Sequence, residues 1–292
     1  MSALRLRLFV VVVFLSLIVA LTAAAPRLGA RAPAAVTPPP RAVSSPGTLT
    51  PNYGLRARIP QSYLGDDGAM LVDPSRDRLY ISANDGVYLS EETSALHVID
   101  TRLARPLTTV ENVALYLMAL TQDGARLIGY TTLPSDPGRL LIYDADTLAL
   151  VDEFPPACPP AMETCFMTDM AAGPDGRLYW TAYGDTRVNV LDVATGDALE
   201  SFVAADAPIT SLEIAGDVLI VAAEEDDNGL RWVRRYDVGA VPAVLELTAQ
   251  DMYGGSSWLI APDGSYLIAI NEFGVMQYST GTLEFVRTLF EG

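Results

Sequence analysis

The 292-residue chain has no lysine; all 19 of its basic residues are arginine, set against 36 acids, for a formal net charge of −17. It has one histidine, His97, and two cysteines, Cys158 and Cys165. Each scarcity removes a class of chemistry. Without lysine there is no Schiff-base nucleophile and no P-loop phosphate clamp. One histidine cannot build the multi-histidine sites of zinc, copper or non-haem iron. A serine–histidine–acid triad would have to use His97, and no Gly-x-Ser-x-Gly elbow presents a nucleophile. The acid surplus argues against a nucleic-acid partner, because that affinity rests on cations neutralising phosphates.

Acids are also missing from residues 1–50, which hold five of the arginines. Arg5 and Arg7 precede an 18-residue apolar run, Leu8 to Ala25, ending in small residues. A basic head, an apolar stretch and a small-x-small end make an export signal, so residues 1–25 read as a signal peptide or an uncleaved N-terminal membrane anchor. Pro26 directly after Ala25 disfavours cleavage there. Residues 26–51 are rich in Pro and Ala without apolar periodicity, the composition of an extended spacer. The expected location is extracytoplasmic, with residues 52–292 as the folded domain.

That domain repeats. Apolar segments end in aspartate at Asp100, Asp144, Asp192 and Asp237, and a fifth ends at Ser279, with intervals of 44, 48, 45 and 42 residues. Upstream of each lies a turn followed by a short apolar segment, as in Asp123-Gly124-Ala125-Arg126-Leu127, Asp175-Gly176-Arg177-Leu178-Tyr179 and Asp263-Gly264-Ser265-Tyr266-Leu267. Asp-Gly supplies the positive φ that a tight hairpin needs. The strand after it is apolar on both faces, as a sheet sandwiched between two neighbours requires. The aspartate closing the third strand can bond amides of the next turn. Four short strands at a period of about 45 residues make a β-propeller blade. The expected fold is an all-β propeller of five recognisable four-stranded repeats.

The unit from Gly173 to Gly196 resembles the YVTN family of bacterial surface propellers and, more loosely, the lactonase-type and quinoprotein-type groups of the wider WD40-like superfamily. The Gly-His and Trp-Asp signatures of WD repeats are missing. The resemblance spans about residues 62–290 and speaks to fold, because the matched positions are strands and turns. The last unit already has its own outer strand, Leu283 to Phe290, yet Leu55 to Pro60 also occupies an outer-strand position before the first unit. Either the propeller has six or seven blades and this chain is truncated, the alternative favoured by the hazard of an uncovered edge, or five blades close and the extra strand covers an edge.

With the four strands of each unit lettered a to d in chain order, the b–c connections, roughly 83–95, 131–139, 182–187, 223–229 and 271–274, carry ten acids and two arginines. They predict an acidic face that attracts cations or basic partners. The densest stretch is Glu224-Glu225-Asp226-Asp227-Asn228-Gly229. Hard oxygen ligands suit calcium, which Asp226, Asp227 and Asn228 would hold, although the stretch departs from an EF-hand loop and a solvated loop is the plainer alternative. Lactonase-type propellers set carboxylates over the central channel, and Glu225, Asp227 and Glu272 are the residues that the resemblance nominates here. Cys158 and Cys165 bracket six residues of one connection, a disulfide spacing for an exported protein. His97 reads as structural, and Trp180 and Trp258 as inter-blade core. The favoured function is a non-catalytic module binding a protein or small-molecule ligand through the acidic face, with no required cofactor. A lactonase- or quinoprotein-like enzyme and an inactive structural repeat are the alternatives.

Overall fold

The computed structural model describes residues 69–83, 94–103, 105–131, 138–155, 166–224, 231–240, 242–252, 257–261, 264–271 and 274–291. They form five four-stranded antiparallel meanders. The first is β1 (Met70–Asp73), β2 (Arg78–Ala83), β3 (Ala95–Asp100) and β4 (Arg105–Glu111). The second is β5 (Leu117–Leu120), β6 (Arg126–Thr131), β7 (Arg139–Asp144) and β8 (Leu150–Phe154). The third is β9 (Met167–Ala172), β10 (Arg177–Ala182), β11 (Arg187–Asp192) and β12 (Phe202–Val203). The fourth is β13 (Ile209–Ala215), β14 (Val218–Glu224), β15 (Arg231–Asp237) and β16 (Val244–Met252). The fifth is β17 (Ser257–Ile260), β18 (Tyr266–Asn271), β19 (Gly274–Ser279) and β20 (Phe285–Glu291). The first strands of successive sheets neighbour one another, β1 beside β5, β5 beside β9, β9 beside β13 and β13 beside β17. They are the innermost strands of a β-propeller, whose five blades among the described residues match the five repeats. The expected signal segment, the expected spacer and the extra strand expected at Leu55 to Pro60 lie outside the described residues.

Local chemistry accounts for the repeat. Gly124, Gly176, Gly216 and Gly264 take φ of +70°, +71°, +57° and +68° in the a–b turns, and Asp77 does the same in blade 1 at +53°. The second strand opens one or two residues later, and its first residue pairs in register with the aspartate or serine that closes the third: Arg78 opposite Asp100, Arg126 opposite Asp144, Arg177 opposite Asp192, Val218 opposite Asp237, and Tyr266 opposite Ser279. Those aspartates then cap the following turn. Asp100 Oδ1 accepts from the amides of Arg102 and Leu103 at 2.9 and 2.8 Å, and Asp192 Oδ1 from Ala194 and Thr195 at 2.8 and 3.0 Å. Asp144 and Asp237 repeat the device, and Ser279 keeps a longer version to Thr282.

Burial follows position in the blade. The second strands are the most enclosed, with Leu127, Ile128 and Tyr130 on β6 and Leu178, Tyr179 and Trp180 on β10 all buried, while β4 and β8 are largely exposed. The core consists of interleaved layers between blades: Trp180 packs with Tyr130 and Ile142 between blades 2 and 3, and Trp258 with Ile220 and Val233 between blades 4 and 5. Both tryptophans are buried as expected.

Candidate functional site

Two arrangements stand out. The first lies on the innermost strands, where β9 reads Met-Thr-Asp-Met-Ala-Ala and β13 reads Ile-Thr-Ser-Leu-Glu-Ile-Ala. Asp169 Oδ2 accepts from the Leu212 amide of the next blade at 2.8 Å, and Oδ1 from the Met170 amide at 2.8 Å. Ser211 adds a side-chain hydrogen bond. Glu213 in turn accepts from the amide of Ile260 on β17. Each acid thus satisfies an inner-strand N–H of the following blade, a group that costs free energy if left unpaired. Both keep some solvent contact while lying deep among the inner strands. Burial pushes the Asp169 carboxyl up to about 6, against the hydrogen bonds that favour its charge. Burial, and then the nearby Asp169 charge, hold the Glu213 carboxyl well above the ordinary range.

The second arrangement lies on the face formed by the a–b and c–d turns. At the junction of blades 1 and 2, Arg78 donates from Nη1 to the carbonyls of Ala145 and Asp146 at 2.6 and 3.3 Å. Tyr80 donates its hydroxyl to the Ala145 carbonyl at 3.2 Å. Arg76 donates from Nε to Asp146 Oδ1 at 2.6 Å and from Nη1 to Asp73 Oδ2 at 3.0 Å. Blade 1 is therefore stapled into the c–d turn of blade 2. At the next junction the same register offers Arg126 and Ile128. Isoleucine has no hydroxyl, and Arg126 turns back to Asp144 of its own blade at 2.9 Å. The equivalent turn of blade 3, Val193-Ala194, receives no side-chain donor among the described residues, and a cleft of about 560 Å³ opens there. Thr121, Gln122, Asp123, Arg126, Val151, Asp152, Asp175, Val193 and Ala194 line it. Where blade 3 supplies Arg177 and Tyr179 towards blade 4, the gap is about 190 Å³. Gln122 also donates to the Gly216 carbonyl at 2.8 Å, so turns of two non-adjacent blades meet on this face.

No family model matches the chain, and no curated protein matches it. Solved structures do. The hydrazine synthase of Kuenenia stuttgartiensis aligns over 80% of this chain and 60% of its own, with 17% identity and a TM-score of 0.52. The RRP9 WD40 repeats align over 74% and 61%, with 14% identity and a TM-score of 0.51. The Cps50 (Swd1) β-propeller domain of Myceliophteria thermophila aligns over 77% and 86%, with 14% identity and a TM-score of 0.51. The chain spans about three-fifths of the first two structures. The likeness is one of fold. It supports a propeller architecture and does not single out the YVTN or lactonase group.

On this propeller, the catalytic candidates Glu225, Asp227 and Glu272 lie outside the described residues, as do the calcium candidates Asp226, Asp227 and Asn228 and the cysteines Cys158 and Cys165. Of the ten b–c acids only the side chain of Asp185 is described, and it does not present itself to solvent. It is 8% exposed, and its Oδ1 accepts from the Arg187 amide at 3.1 Å. The turn there is tight, and the carboxylate is drawn in to satisfy the backbone. His97 sits on β3 opposite Ile81, with Nδ1 3.0 Å from the Thr109 hydroxyl, and burial lowers its pKa. Sequence reasoning passed over Asp169 and Glu213. The available signal was an acid inside an otherwise apolar first strand. It also passed over the Tyr80, Ile128 and Tyr179 alternation that opens the cleft.

Proposed function

We propose that this protein is an exported, non-catalytic β-propeller that holds a basic partner protein against its acidic surface. The observation that carries the reading is the open cleft between blades 2 and 3, whose mouth bears Asp123, Asp152 and Asp175, none of them ion-paired to a described residue. By contrast, the arginines Arg76, Arg102 and Arg126 of that same face are already paired to Asp73 and Asp146, Asp77, and Asp144. The acid-rich b–c connections add to the negative field at the sequence level. A cleft of this volume lies within the usual span of ligand sites. Export rests on the basic-apolar leader, and a membrane anchor through the same segment is part of the proposal.

Two measurements test it. In the producing cell, a photo-crosslinking residue at position 194 or 226 should yield a discrete adduct with a basic protein, lost when salt is raised before irradiation. The purified full chain should not hydrolyse lactones, with or without calcium. Turnover abolished in the Glu225→Ala/Asp227→Ala variant would replace this reading with a lactonase, and absence of any adduct from both positions would defeat the binding role.

A further inference from the structure

We infer that the blade 2–3 cleft is a receptor for an arginine side chain carried on a segment of the partner protein; this rests on the binding role proposed above. The propeller itself shows what fits. At the blade 1–2 junction the corresponding c–d turn is filled by Arg78, one terminal guanidinium nitrogen of which donates to two successive carbonyls, those of Ala145 and Asp146, beside the Tyr80 hydroxyl. Register makes Val193 and Ala194 the equivalents of Ala145 and Asp146, since each pair directly follows the aspartate that ends the third strand. Their carbonyls accept from no side chain among the described residues. A guanidinium suits them because one planar terminal nitrogen carries two hydrogens for two oxygens, as at Arg78, and the group is weakly hydrated, whereas an ammonium is a strongly hydrated point charge.

Charge points the same way. Asp152 and Asp175 border the cleft from opposite blades, and the one arginine that could have filled it is engaged by Asp144. The lining combines this polar rim with Ile142, Val151 and Val193, against which the methylene stem of an arginine can lie. The pairing that blade 1 makes in cis with blade 2 is thus left for a partner to make in trans at the following junction.

The test uses the isotopically labelled full chain and three capped heptapeptides, Gly-Ser-Gly-X-Gly-Ser-Gly with X as arginine, lysine or the neutral isostere citrulline. The arginine peptide should shift the amide resonances of Gly176, Val193 and Ala194 saturably, more strongly than the lysine peptide, while the citrulline peptide leaves them unmoved. Asp152→Asn and Asp175→Asn should each weaken binding about threefold, the scale of an exposed ion pair. Both positions are exposed, and asparagine tolerates the left-handed backbone of Asp175. Val151→Arg should fill the cleft in cis and abolish binding, and Glu284→Gln, on an exposed blade 5 turn, should leave it unchanged. Citrulline binding as well as arginine, an equal loss in Glu284→Gln, or undiminished binding in Val151→Arg would overturn the inference. Capped arginine amide binding as tightly as the heptapeptide would also overturn it, in favour of a small guanidine ligand. Loss of peptide binding only on substitution of Glu225 and Asp227 would overturn the cleft while leaving the binding role intact.

Discussion

Replacing Asp169 by asparagine should change how the stability of this propeller depends on pH. In the folded protein burial carries the Asp169 carboxyl from 3.8 to about 6. Between those values the folded state holds a proton that the unfolded state has lost. Folding therefore takes up a proton, and this group's contribution to stability is complete below pH 3.8 and disappears as pH rises through 6. A displacement of about two units corresponds to about 3 kcal/mol at most between pH 4 and pH 7. Asparagine keeps the shape of the neutral acid and one carbonyl acceptor for the Leu212 amide, and it cannot ionise. Asp73, Asp123 and Asp144 act in the opposite sense: hydrogen bonds lower their pKa, outweighing burial at Asp73, and their stabilisation is lost as pH falls. The informative quantity is accordingly the difference between Asp169→Asn and the wild type, measured by urea unfolding from pH 4 to pH 8. That difference should move in favour of the variant by up to about 3 kcal/mol, mostly between about pH 4 and pH 6, and level off above that. The Glu213 carboxyl, relieved of a like charge, should then titrate at lower pH. A pH-independent difference, or one that moves against the variant as pH rises, would refute the account of Asp169 as a buried, proton-binding clip.

Other perturbations probe other layers. Asp192→Ala removes the acceptor for the amides of Ala194 and Thr195 and should cost about 1 kcal/mol in urea unfolding, as loss of a cap does. Trp258 is 3% exposed, and its indole N–H has no hydrogen-bond partner among the described residues. Trp258→Phe should therefore cost less than about 1.5 kcal/mol, far below the roughly 3–5 kcal/mol of Trp258→Ala. If Cys158 and Cys165 are bridged, thiol labelling of the unfolded, unreduced chain should find no free thiol, and Cys158→Ser/Cys165→Ser should lower stability by about 2 kcal/mol. Full labelling would remove the disulfide expectation.

The blades were legible because their landmarks answer to local rules. A positive φ at Gly124 or Gly176 and a turn capped by Asp100 or Asp192 each involve a few consecutive residues, so residue type and spacing suffice. The interior acids and the cleft depend on residues 43 and 67 positions apart, as in Asp169 to Leu212 and Arg78 to Ala145. In an aligned set of repeats, Arg-Leu-Tyr, Arg-Leu-Ile and Arg-Leu-Tyr look like a tolerated core exchange at Tyr80, Ile128 and Tyr179. The exchange gains its meaning once the tyrosine hydroxyl is seen crossing to the next blade. Net charge misleads for the same reason. Asp185 is counted on an acidic face and folds inward, whereas Asp123, Asp152 and Asp175 sit on the face with more arginines. Arg76, Arg102 and Arg126 form their ion pairs with other carboxylates, and of the three only Asp123 also feels the charge of Arg126. The field a partner meets is therefore set by which charges the repeats consume internally, and at the blade 2–3 junction the unconsumed ones are acids.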